Sequence, residues 1–521
     1  MKIIKYILLL TLSVQLIGCD DFFEQDKEDI IAGNKHFKTR EDITNTIVGI
    51  SGLMQDAVEQ NIIVQSLLSD EIVLNDFAPE QFFQIESRKT NEDNKYANAS
   101  AFYKVIVNCN NLLSQLDTVK IQNTGFTHEQ ALSIINQTAA NRAWAYLNMG
   151  HIFGKVRYFT DPLIEFKEEK IKQFPEYTFD ELLPILIADL EEKAKETGSI
   201  DWGKIMGDND NEWNMVKIPL NVILGNLYLE ANQYNEAINA YFAYLAPLSE
   251  DKYILPEKYD WSNKYDGSIN SATKDIISAI PFSKTKMQQH ELQTLFSDPL
   301  FRVGEGGKAF LLPTDTLLNS YKNQENIYDE LGDDRMHGSI LHSEFLEAKM
   351  IYKYTIGRRA YDNDAHIILY RAADIHLALA ECFNRLEMPK VALALINNGV
   401  KEFWLGEEWD SEVVKDYAFP KQFIESEGVR SSQLLKPRML DEESTKSKIQ
   451  QIEEIIADEY LLEMAYEAKR WPMLTRIAKR WIQDNGAEGA TFLADRIATK
   501  SEIAKQRRED LMKPENWYLK Y

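Results

Sequence analysis

The chain has 521 residues, of which 44% are apolar and 27% charged, a balance that fits a globular protein and excludes a disordered one. Its 58 basic against 82 acidic side chains leave a formal net charge of −24. Such a surface repels phosphate backbones, so no nucleic acid is expected as a partner, while neutral sugars and peptides stay open.

Residues 1–18 read as an export signal. Lys2 and Lys5 precede a mostly apolar stretch, Tyr6 to Ile17, that falls short of the roughly 20 residues needed to span a bilayer. It ends in Leu16-Ile17-Gly18-Cys19, which resembles the bacterial lipobox, so Cys19 is expected to be acylated and to begin the mature chain. Several acyl chains would hold the protein stably on a membrane. No later apolar run approaches spanning length. Cys109 and Cys382, the two other cysteines, lie in apolar helical patterns; buried free thiols are expected, with pairing left open.

Helix dominates the mature chain. Phe102, Val105, Ile106, Cys109, Leu112, Leu113 and Leu116 stand in steps of three and four that draw one helix face, and Ala139, Ala140, Ala143, Trp144 and Leu147 draw a second. A turn is expected at Thr160-Asp161-Pro162. The next helix starts near Thr178 or Asp180 as N-cap, and Pro184 predicts a kink or a late start. Residues 199–214 break the period and read as an acidic loop. Leu224, Gly225, Tyr228, Ala237 and Tyr241 then carry the tetratricopeptide spacing, with Asn232-Gln233 as the turn. The same spacing recurs at Leu379, Ala380, Phe383, Ala392 and Ile396, where Met388-Pro389 opens the second helix. A last helical pair is expected from Ile452 to Trp481. The predicted fold is mainly α: a tetratricopeptide-like frame with helical pairs near 98–160, 177–247, 362–400 and 451–482. An irregular lobe of loops and short strands, near 248–360 and 401–450, is inserted into it.

Catalytic and metal motifs fail on their spacing. In His290-Glu291-Leu292-Gln293-Thr294 the second histidine of a zinc helix is replaced by Thr294. Residues 302–309 resemble a phosphate loop, but Arg302 stands in place of its first glycine and Ala309 in place of Ser or Thr. Asp208-Asn209-Asp210-Asn211-Glu212 lacks the EF-hand glycine, and Pro219 takes the place of the closing glutamate; it reads as a solvated loop, with a bound calcium left open. There is no G-x-S-x-G elbow. No metal, cofactor or enzymatic activity is expected.

Several motifs converge on one family. Tyr103-Lys104-Val105-Ile106-Val107-Asn108-Cys109-Asn110, Asn141-Arg142-Ala143-Trp144-Ala145-Tyr146 with Phe153-Gly154, and Ala188-Asp189-Leu190 stand in the order of the SusD/RagB surface lipoproteins. So do Tyr370-Arg371-Ala372-Ala373-Asp374 with Ala380-Glu381, then Glu467-Ala468-Lys469-Arg470-Trp471, then Asn516-Trp517-Tyr518-Leu519. The chain resembles that family from the lipobox to the C-terminal motif, with 19–521 as one SusD-like domain. It departs at Ala468, where the family has glycine, at Met473, which replaces an aspartate, and at Lys520-Tyr521, which replace Pro-Ile. Arg371, Glu381 and Arg470 are read as buried ion pairs. The resemblance implies a non-enzymatic lipoprotein on the outside of the cell outer membrane that captures oligosaccharide and passes it to a SusC-type TonB-dependent transporter. A peptide- or protein-binding repeat scaffold is the alternative, since helical repeats hold peptides in a concave face.

Sugar rings stack on exposed aromatics, and amides or carboxylates take their hydroxyls. The resemblance places such aromatics in the loop before the first repeat and in the lobe. The candidates are Phe77, Phe82 and Phe83, then Trp261, Tyr265 and Tyr321. Residues 259–265 are the densest mixture of aromatic and polar groups, and Trp202 and Trp213 are a second choice. Trp144, Tyr228 and Phe383, on helical faces, are assigned to packing.

Overall fold

Four helices begin in the same way. Thr39, Thr127, Thr178 and Ser447 each accept a backbone N–H three residues on, while Asp42, Gln130, Glu181 and Gln450 return the bond to the cap. These boxes start α1 (Arg40–Leu68), α4 (His128–Phe153), α5 (Phe179–Ala194) and α11 (Lys448–Glu463). The computed structural model describes residues 37–163, 166–195, 215–248, 253–265, 274–282, 288, 290–296, 309–343, 348–355, 365–400, 419–420 and 426–521. Cys19, Trp202, Trp213, the acidic run 208–212 and the glycines of 304–307 lie outside them.

Between and after these helices come α2 (Glu80–Ser87), α3 (Ser100–Gln115), α6 (Leu220–Glu230) and α7 (Tyr234–Leu245). The chain continues through α8 (Asp315–Lys322), α9 (Ala372–Arg385), α10 (Pro389–Ile396) and α12 (Arg470–Asn485). From α3 on, and leaving aside α8 of the lobe, the helices form a continuous stack: α3 on α4, α4 on α5, α5 on α6, α6 on α7, α7 on α9, α9 on α10 and α11, and α11 on α12. The long α1 lies across α3, α4 and α12. The fold is therefore a helical repeat frame, and the strands are few and short. They form four two-stranded antiparallel ladders among the described residues, β1 (Ile72–Leu74) with β5 (Leu311–Pro313), β2 (Lys155–Arg157) with β3 (Glu176–Thr178), β4 (Ile276–Phe282) with β8 (Ala365–Arg371), and β6 (Ile340–Ser343) with β7 (Ala348–Ile351). Arg371 ends β8 and caps α9, so the lobe is stitched directly to the frame.

The first tetratricopeptide spacing rests on a close approach, and both share one turn. A Cβ on Gly225 would stand 2.6 Å from the Tyr241 ring, so α6 and α7 approach as closely as they do only because that position is glycine. Asn232 and Glu387 both turn left-handed, at φ 59° and 60°. The next N–H, of Gln233 or Met388, donates back to Tyr228 or Phe383 at 2.8 and 2.9 Å. Trp144, Tyr228 and Phe383 are buried, as are the free thiols of Cys109 and Cys382. Pro184 delays nothing: α5 starts five residues before it, and the proline sits exposed within the helix.

Charge is buried throughout the frame. Arg371 binds Glu463 and, at 2.8 Å, Glu467; Arg335 reaches Asp333, Glu459 and Glu463; Arg470 grips Asp70 through two bonds of 2.7 Å. Glu381 takes Arg476 and Arg480. Burial alone would raise Glu381, but the two guanidiniums hold it down to about 2. Such pairs are weak stabilisers against apolar packing, yet breaking one is expensive, so they fix which helices meet. Ala468, in the family's glycine position, adopts φ 55°, a conformation that costs a residue with a Cβ about 1 kcal/mol.

Candidate functional site

The aromatics of the lobe are in the core. Trp261, Tyr265 and Tyr321 are at most 2% exposed, and each spends its polar atom inside the protein. Trp261 Nε1 donates to Glu463 at 2.9 Å, the Tyr265 hydroxyl to Glu467 at 2.8 Å, and the Tyr321 hydroxyl to the Leu462 carbonyl at 2.7 Å. Residues so placed offer no face to a sugar. Phe82 is corrected likewise: it is buried, with its ring 5.0 Å from that of Tyr96. Phe83 is half-buried against the core. Phe77 alone of the six is broadly exposed, at 69%. It sits in the turn after β1, where Asn75 Oδ1 accepts its N–H at 2.8 Å.

The loop after α2, 88–99, is held from several sides. Gln60 of α1 donates to the carbonyls of Tyr96 and Asn98 at 2.8 and 2.6 Å. Asn94 binds the Gln81 carbonyl and the Gln84 side chain, and Arg88 reaches the carbonyls of Leu68 and Trp517. Lys95 and Tyr96 both bond Glu291 at 2.7 Å, which ties the loop to the lobe. Glu59 accepts the Glu291 N–H at 2.7 Å. Burial, followed by the negative charges of Glu291 and Asp56, pushes its carboxyl up to about 8 against the ordinary 4.5. From pH 4.5 toward 8 the folded state thus keeps a proton that the unfolded chain has lost, and wild-type stability falls as pH rises. Glu59→Gln is expected to gain on wild type across that window, by at most about 1.4 kcal/mol per pH unit. Urea unfolding of both proteins at pH 5 and pH 8 checks this; a difference that does not change with pH would show Glu59 ionised in the fold.

On its other side the loop forms one wall of a cleft of about 550 Å³. Asn91, Glu92 and Asn98 come from the loop, Tyr103 from α3, Arg157 from β2, Phe166 and Glu168 from the segment after the Asp161-Pro162 turn, and Tyr521 from the last residue. Tyr103 organises it. Its hydroxyl accepts the Arg157 N–H at 3.1 Å and meets the Tyr521 hydroxyl at 3.0 Å. Tyr521 packs 4.5 Å from the Phe153 ring yet is 48% exposed, and Phe166 is half-buried. Arg157 lies 3.3 Å from Glu176, so the basic wall is partly neutralised. The cleft combines aromatic rings, amides, carboxylates, the Arg157 guanidinium and the ammonium groups of Lys172 and Lys520, which is chemistry for binding a polar, hydroxyl-bearing molecule. Among the described residues no three His, Cys, Asp or Glu side chains stand where they could hold a metal, and no helix is long and apolar enough to cross a membrane.

The SusD family model matches residues 255–519, just over half of the chain. The chain belongs to the SusD family. SusD-like protein P38 of Formosa agariphila is 22% identical over 427 residues, covering 76% of this chain and 80% of that protein. A SusD superfamily protein of Bacteroides vulgatus superposes with a TM-score of 0.63 at 13% identity, over 91% of this chain and 93% of that one. Surface glycan-binding protein A of Bacteroides uniformis gives 0.61 at 17% identity, over 88% and 91%. These structures share the tetratricopeptide-like frame.

Sequence reasoning pointed to the loop before the first repeat but missed the residues of the cleft. Tyr103 belongs to a family framework motif and Tyr521 to its departure from Pro-Ile, so neither was singled out for a ligand. The available signal was the polar run Asn91-Glu92-Asp93, which is too hydrophilic for a buried connection and is exposed.

Proposed function

We propose that this SusD-family protein captures an oligosaccharide in the cleft between loop 88–99, Arg157, Phe166 and Tyr521, with Phe77 as a further exposed contact. It would act as a lipoprotein anchored through Cys19 on the outside of the outer membrane, and pass its ligand, chemically unchanged, to a SusC-type TonB-dependent transporter. One observation carries the reading: the cleft pairs aromatic rings with amide and carboxylate side chains on a loop already fixed by Gln60, Asn94 and Arg88. A preorganised site loses little entropy on binding. The glycan-binding protein of Bacteroides uniformis, similar in fold, supports the ligand class.

The experiment is titration of the mature protein with a panel of neutral oligosaccharides and peptides, alongside Phe166→Ala, Tyr521→Ala and Phe77→Ala. Loss of one aromatic platform is expected to weaken sugar binding about tenfold at an unchanged melting temperature. Release of shorter sugars during incubation would make the protein an enzyme. Binding confined to peptides would make it a repeat scaffold.

A further inference from the structure

A second concave surface lies away from the cleft and shares no residue with it. It is a pocket of about 500 Å³ lined by Thr316, Asn319 and Ser320 on one face of α8, by Asn323 at its C-cap, and by Arg438 and Asp458. Leu461 and Leu462 of α11 close its floor. The volume suits a small ligand. The α8 residues recur at steps of three and four, so their polar groups form a ridge along one helix face, while Leu317, Leu318 and Tyr321 occupy the buried face.

The polar groups are spread between fixed and uncommitted. Gln324 donates to the Ser320 carbonyl at 2.8 Å and accepts from Arg438 at 3.0 Å, so the guanidinium is held in place. The Arg438 backbone is also fixed, since Asn397 accepts its N–H at 2.8 Å and donates to its carbonyl at 2.9 Å. Yet Arg438 Nε is buried with no hydrogen-bond partner. The Asn319 and Asn323 amides are exposed on the ridge, so donors and acceptors stand about one helical turn apart around the void.

We infer that this pocket is a second binding site for a neutral, hydroxyl-rich ligand, the end of an oligosaccharide, seated between the α8 ridge and Arg438. Asp458 sets a carboxylate near the Arg438 guanidinium, and an array of amides, one guanidinium and one carboxylate matches a polyol, whose hydroxyls both donate and accept. The inference rests on the carbohydrate reading of the chain but on different residues.

Calorimetric titration of the mature protein with maltoheptaose and with a β-1,3-glucan hexaose tests it. Three proteins are compared: wild type, the double variant Asn319→Ala/Asn323→Ala, and the double variant Phe166→Ala/Tyr521→Ala. Wild type is expected to bind two equivalents of one of the sugars. The α8 variant, whose changes are at two exposed positions, one in the helix and one at its C-cap, should lose one equivalent or bind it about tenfold more weakly, with an unchanged melting temperature. Arg438→Met should do the same. Wild-type stoichiometry and affinity in the α8 variant and in Arg438→Met overturn the second site, whatever the other variant shows. Loss confined to the α8 variant keeps this site and overturns the cleft as the capture site. No binding of either sugar by wild type overturns both.

Discussion

Arg371→Met is expected to lower stability by about 3–5 kcal/mol, the range for removing one partner from a buried ion pair. Arg371 is fully buried and bonds the Glu463 carboxylate, the Glu463 carbonyl and both oxygens of Glu467. Methionine matches the stem of the side chain but brings no charge. Lys353 would remain on Glu467, at 2.8 Å, and Arg335 on Glu463, at 2.8 Å, so the carboxylates would be left partly compensated. The effect also has a pH signature. Burial alone would raise Glu463, but Arg371 and then Arg335 hold it down to about 2. A carboxyl depressed in the fold adds stability that is present above its unfolded pKa, near 4.5, and lost as pH falls through 2. Removing Arg371 relaxes that depression, so the variant should lose less on acidification than wild type does. Urea unfolding from pH 3 to pH 6 reads both effects. Equal stability of the two proteins at pH 6 would mean that the pair contributes nothing to holding β8 and α9 on α11.

The frame was legible because its determinants are local or strictly spaced. Gly225 and Tyr241 stand sixteen residues apart in any tetratricopeptide-like pair, and their contact comes from the helix–turn–helix geometry alone. Thr178 and Ser447 announce their helices through residues three positions on. Arg371, Glu381 and Arg470 were readable as ion pairs because each charge stands in a family motif among apolar residues, where only pairing makes burial tolerable. The site was less legible, because it depends on partners far away in sequence. An aromatic with a polar tip looks the same whether the tip faces a sugar or a buried carboxylate. The run 259–265 shows this: the partners of Trp261 and Tyr265 are Glu463, at the end of α11, and Glu467, in the turn after it, about 200 residues later. The cleft, likewise, gathers Tyr103, Arg157, Phe166 and Tyr521 only through the pairing of β2 with β3 and the return of the last residues to α3.

Trp261→Ala is the sharpest test of that reassignment, and it is expected to destabilise the protein by about 3–5 kcal/mol while leaving sugar binding in the cleft intact. The indole fills space between cations: Lys264 Nζ and Lys353 Nζ each lie 5.0 Å from its centroid, and the Arg371 guanidinium 5.9 Å. It is packed tightly enough that a Cβ on Gly338 would approach its ring to 3.0 Å. Removing it therefore opens a cavity among charged groups, and also takes the Nε1–H from Glu463, which keeps only its arginines. Trp261→Phe separates the two contributions: it preserves most of the ring volume and loses the hydrogen bond, for an expected loss of about 1–3 kcal/mol. Thermal melts rank the three proteins, with wild type above Trp261→Phe and Trp261→Ala lowest, and oligosaccharide titration below the lowest melting point reads binding. Unchanged melting with lost binding in Trp261→Ala would return this tryptophan to the ligand and displace the cleft. Lowered melting with retained affinity leaves Trp261 as the packing element on which Arg371, Lys353 and Lys264 are stacked.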